Sequence, residues 1–120
     1  QQLSAIPESI ELLLIRTGFE SYRHLPKYSE FNPGLAPELA EKVCHSFPNL
    51  KAIGLDIVSI SSFQHREVGR IAHKEFLGRN ILLIEDMYLS DTGVPNSVIV
   101  APLRVDYIDS APCTVIGFYD

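Results

Sequence analysis

Leu12-Leu13-Leu14-Ile15-Arg16-Thr17-Gly18 is an uninterrupted apolar run that stops at a turn pair. Four apolar residues in a row show no in–out alternation. A strand of this kind is expected to be covered on both faces, the pattern of a parallel sheet between layers. Two further runs of the same kind follow, at 52–57 and 81–85. Between the first two, Pro37 opens a helix whose apolar residues Leu39, Ala40, Val43, Cys44 and Phe47 recur at helical spacing, and Pro48 stops it. Between the second and third, Val68, Ile71, Ala72 and Phe76 predict a helix near 68–77, ending at Gly78. Ser59, Ser61 and Ser62 ahead of it read as a loop.

Strands separated by helices imply an α/β fold with parallel strands and right-handed crossovers. Residues 19–34, polar and aromatic with Pro26, Pro33 and Gly34, read as a long excursion, and such loops are often functional. Two more strands are expected at 97–105 and 112–119, paired antiparallel, with Pro102 marking an edge or a bulge.

The bulk properties narrow the function classes. A chain of 120 residues, 46% hydrophobic, is expected to be one domain with a real core. A net charge of −5 and a pI near 5.3, with no Lys/Arg cluster, argue against a nucleic-acid partner. No apolar stretch approaches the roughly 20 residues of a membrane span, and no signal peptide opens the chain. Cys44 and Cys113 make no disulfide framework and are expected to be buried free thiols, in keeping with a reducing cytoplasm. The chain opens Gln1-Gln2 and its single methionine is Met87, so either a removed leader or a missing N-terminal part is expected.

In open parallel sheets, ligands gather at the carboxyl ends of strands. That rule selects Arg16, Thr17, Asp56 and Glu85. A helix of about 10 residues is about 15 Å long, and a strand over 81–85 rises about 13 Å. Glu85 should therefore lie level with the first half of the helix, near His73. A neutral imidazole and a carboxylate suit Zn, Mn or Fe. Asp56, ending its strand, is expected to accept N–H groups of the following turn. Asp86 should point away from Glu85, into a solvated or capping role. His24, in the excursion beside Arg23, is a candidate for the mouth of a substrate site, whereas His45 and His65 read as surface residues. There is no nucleophile elbow and no phosphate-binding glycine pattern.

Several segments, in order, resemble the C-terminal part of the cyclase family of metal-dependent hydrolases, which includes bacterial kynurenine formamidases. Leu14-Ile15-Arg16-Thr17-Gly18-Phe19 is similar to the family's strand ending in Arg-Thr-Gly-Trp. Asn32-Pro33-Gly34-Leu35-Ala36-Pro37-Glu38 resembles its Pro-Gly-Leu-Ser helix start, and Ile53-Gly54-Leu55-Asp56 its Val-Gly-Ile-Asp strand. Ala72-His73-Lys74-Glu75-Phe76-Leu77 followed by Ile81-Leu82-Leu83-Ile84-Glu85 resembles its His-to-Glu block. Ala101-Pro102-Leu103 and Ser110-Ala111-Pro112-Cys113 are similar to its closing hairpin.

The resemblance implies a swivelling β/β/α-type fold, here a partial mixed sheet with two main helices. It also implies hydrolysis of an N-formyl or cyclic amide, as in tryptophan catabolism through kynurenine, by water activated on one or two divalent ions, zinc or manganese. The family's histidine before a short helix, and its glutamate twelve residues on, correspond to His73 and Glu85, the implied metal-site residues. Phe19, where the family carries Trp, joins His24 and Asp56 as a candidate to line the substrate. Thr114 stands where an Arg is common.

The family's His-x-Gly-Thr-His-x-Asp-x-Pro motif, source of most metal ligands, is not in this sequence. Two ligands alone should bind metal weakly, so the chain by itself is expected to be inactive. It is expected to be completed by a missing N-terminal segment or another subunit, and to form homo-oligomers through the apolar edges of a divided sheet. The alternative is a non-catalytic scaffold or ligand-binding module that lost the metal motif.

Overall fold

The computed structural model describes residues 3–90 and 93–120. The chain forms two compact units, 1–90 and 91–120. The first is α/β. Its strands β1 (Leu12–Ile15), β2 (Ala52–Leu55) and β3 (Leu82–Ile84) form a parallel sheet in the order β1-β2-β3. Leu13 pairs with Ile53, and Ile53 with Leu83. The second unit is an antiparallel ribbon of β4 (Ser97–Pro102) and β5 (Cys113–Phe118), with Pro102 opposite Cys113 at its end. Taken by itself, the second unit has no further layer among its described residues, and Ile99 and Ile116 are about half exposed. Cys113 is exposed as well, against the expectation of a buried thiol. Cys44 is half-buried, and both cysteines are free.

The excursion contains a 3-10 turn (Phe19–Tyr22) and a one-turn helix α1 (Lys27–Glu30). The two main helices are α2 (Glu38–Ser46) and α3 (Arg66–Gly78). Helix α3 starts two residues earlier than its apolar pattern predicts, because its first turn, Arg66-Glu67, is exposed and carries no periodic signal. His73 lies inside α3, near its middle, and does not precede a helix.

Strands added in sequence order by crossovers of one hand put both connecting helices on one face. Ala40 and Val43 of α2, Phe47 just after it, and Ala72 and Phe76 of α3 accordingly share one buried cluster with Leu13, Ile53 and Leu55. The strands are expected to be covered on both faces, and in this unit the two main helices cover one of them. On the opposite face Leu12 and Leu14 are half-buried, and Leu82 is 63% exposed. Among the described residues no helix is long and apolar enough to cross a membrane.

The carboxyl end of the sheet is set by Asp56, which is 0% exposed. Its partners lie across the sheet rather than in the following turn. Thr17 donates its backbone N–H and its hydroxyl to Oδ1, at 2.8 and 2.7 Å, and Gly18 donates its N–H to Oδ2 at 2.7 Å. Gly18 adopts φ 79°, a conformation open to glycine without a Cβ clash. The turn after β1 is thereby bent onto the end of β2, and the excursion leaves the sheet at a fixed angle. A carboxylate taken out of water needs such donors, and removing it leaves them unpaired. Asp56→Ala is expected to destabilise the protein by about 2–3 kcal/mol in urea unfolding; a loss under about 1 kcal/mol would contradict this role.

Candidate functional site

Four segments meet where the parallel strands end: the excursion, the loop after β2, the middle of α3, and the residues after β3. Glu85 immediately follows β3. His73 Nε2 stands 3.4 Å from Glu85 Oε1, with the two side chains 32% and 28% exposed. A helical side chain leans toward the N-terminus of its own helix, which lets His73 reach a carboxylate level with the earlier turns of α3. Its Nδ1 lies 3.0 Å from the Gly69 carbonyl and 3.2 Å from Ser61 Oγ. A carbonyl can only accept, so this contact places a proton on Nδ1 and turns Nε2 toward Glu85.

Gly69 is required by packing. A Cβ there would stand 2.1 Å from Ser61 Oγ and 2.6 Å from Ser61 Cα, so the loop rests directly on the helix backbone. Glu85 Oε1 accepts the Ser59 hydroxyl at 3.0 Å and the Ile60 N–H at 2.8 Å. Asn32, buried in the excursion, holds the same loop: its Nδ2 donates to the carbonyls of Ser59 (3.0 Å), Ser61 (2.9 Å) and Pro33 (3.0 Å).

A second set of tethers lies beside this pair. Asp86 takes φ 59° and accepts the Tyr28 hydroxyl at 2.6 Å together with the Arg23 guanidinium. Arg23 also donates to the Met87 carbonyl at 3.0 Å and stacks 5.0 Å over the Tyr28 ring. Asp86 is half exposed, as expected, yet it anchors the excursion as well. Buried Glu20 accepts the Leu89 N–H at 2.6 Å and the Ser90 hydroxyl.

The sequence candidates are thus sorted by position. His73 and Glu85 are brought together. Asp56 is fully buried and engaged with Thr17 and Gly18. Phe19 is half-buried, with its ring 5.1 Å from Tyr22 and 6.2 Å from Tyr28. His24 and Arg16 are exposed, as are His45 and His65. Ser59, Ser61, Asn32 and Tyr28 are site-building residues that pattern reading passed over. The one available signal was the density of Ser and Asn beside strand ends, where side chains must satisfy loop backbone.

The donor chemistry of the pair suits a divalent ion. Two ligands about 2.1 Å from a tetrahedral ion stand about 3.4 Å apart, the separation seen between Nε2 and Oε1. The Gly69 carbonyl behind Nδ1 is the kind of outer partner that orients a metal-binding histidine. His73 and Glu85 fit as two ligands. Among the described residues, no three His, Cys, Asp or Glu side chains form a group able to hold a metal. Compared with models of known protein families, with curated proteins and with solved structures, the chain matches none.

Burial, followed by the hydrogen bond and charge of Asp86, pushes the Tyr28 phenol well above its ordinary value, with Arg23 opposing. An unfolded tyrosine ionises near pH 10. The folded state holds this proton more tightly, so the contribution is fully present below about pH 10 and is lost as pH rises toward the folded value. Tyr28→Phe is expected to flatten the alkaline fall in stability. At about pH 11 the native wild type and Tyr28→Phe should show equal phenolate absorbance; an excess of one full tyrosine in the wild type would contradict the assignment.

Proposed function

We propose that this chain is part of a metal-dependent amide hydrolase of the cyclase type, in which His73 and Glu85 supply two of the ligands. The observation that carries the reading is their approach to 3.4 Å at the carboxyl end of a parallel sheet, with His73 Nδ1 backed by the Gly69 carbonyl. It agrees with the order of sequence segments similar to that family. A zinc or manganese ion bound there would supply a Lewis acid that activates water and polarises an amide carbonyl. Within this chain, His73 offers Nε2, Glu85 offers a carboxylate oxygen, and the loop 59–61 fixes both. The excursion, with Phe19 half-buried and His24 exposed, forms the side from which a small N-formyl or cyclic amide enters. The remaining ligands come from polypeptide beyond these residues, a further segment or another subunit of a homo-oligomer, in a cytoplasmic enzyme.

A second reading has its own support. Glu85 Oε1 is already paired with Ser59 and Ile60, as in a structural loop clamp, and this fits a non-catalytic scaffold or ligand-binding module. Metal analysis and N-formyl amide turnover, measured on the product of the complete reading frame with and without His73→Ala, separate the two. The hydrolase reading expects bound zinc or manganese in the wild type, with at least about a tenfold fall in metal affinity and loss of turnover in the variant. Unchanged metal content and no turnover in either protein would favour the scaffold.

A further inference from the structure

Ser59 makes the contact that decides how Glu85 is presented. The Ser61 N–H donates to Ser59 Oγ at 3.1 Å. An ionised Glu85 can only accept, so the Ser59 hydroxyl proton is directed at Oε1, 3.0 Å away. The Ile60 N–H reaches the same oxygen at 2.8 Å. Both donors fall on Oε1, the oxygen that stands 3.4 Å from His73 Nε2. Nor is Ser59 a free loop residue. Asn32 Nδ2 holds its carbonyl at 3.0 Å, and the Leu35 N–H holds the carbonyl of Ile60 at 2.9 Å.

We propose that Ser59 is a positioning residue that holds the Glu85 carboxylate beside His73 Nε2, making a two-donor seat for a divalent cation. The proposal rests on the metal-site reading above. It makes the loop after β2 part of the cation site without giving it a ligand. Outer partners of ligating groups commonly change metal affinity by about ten- to a hundredfold, and Ser59 belongs in that range.

The test is a Zn2+ titration of the whole chain followed through the ring nitrogens of 15N-labelled histidine. The wild-type His73 Nε2 signal should move and saturate. In Ser59→Ala the midpoint should rise about tenfold or more, while the zinc-free His73 signals stay where they are in the wild type. Ser59→Thr should return the midpoint to near wild type, and the near-isosteric Ser59→Val should not. The Thr and Val pair carries the comparison if Ser59→Ala does not fold. Equal midpoints for Ser59→Ala and wild type, or for the Thr and Val variants, would overturn the positioning role alone. A wild-type His73 that ignores Zn2+ would overturn the metal-site reading, and the proposal with it.

Discussion

A carboxylate without access to water must be met by donors, and Asp56 is met by three from the turn at Thr17 and Gly18. That requirement orders the carboxyl end of the sheet. It joins the end of β1 to the end of β2 and determines where the excursion departs. The excursion is then tied back at three more places by buried or half-buried polar groups: Glu20 to Leu89 and Ser90, Tyr28 and Arg23 to Asp86, and Asn32 to the loop 59–61. Each tether joins a residue of the excursion to backbone or side chains just beyond a strand. Apolar packing builds the layer beneath, through Phe47, Phe76, Ile53 and Leu55. Polar pairing places the surface above it.

This division of labour explains how His73 and Glu85 come to face each other. Helix α3 is fixed by Ala72 and Phe76 in the core, and the absence of a side chain at Gly69 lets the serine loop lie against it. Glu85 is held from the other side by that same loop. Neither residue depends on the other for its position. A preorganised pair of this kind can receive a cation without the cost of ordering two free side chains.

The sequence revealed those parts of the fold that follow from hydrophobic period. The run Leu12–Ile15 is β1 to the residue, Pro37 opens α2, and the lengths of α3 and β3 were enough to bring His73 near Glu85. Coverage of the sheet was read less well. An unbroken apolar run signals that both faces avoid water, but it does not say which polypeptide covers each. The tethers were the least legible. Asn32, Ser59 and Tyr28 act through hydrogen bonds to partners 26, 27 and 58 residues away in Ser59–Glu85, Asn32–Ser59 and Tyr28–Asp86, and no local period encodes such pairs. The start of α3 was obscured for a related reason, since its solvated first turn looks like the serine loop before it.

The central claim is that His73 and Glu85 are two ligands of one metal site. Its most direct test is a crystal structure of the protein grown with Zn2+, with the ion located by anomalous scattering. The account predicts a peak about 2.0–2.2 Å from both His73 Nε2 and a Glu85 carboxylate oxygen. An ion bound at other residues, with His73 and Glu85 left in contact with each other alone, would contradict it.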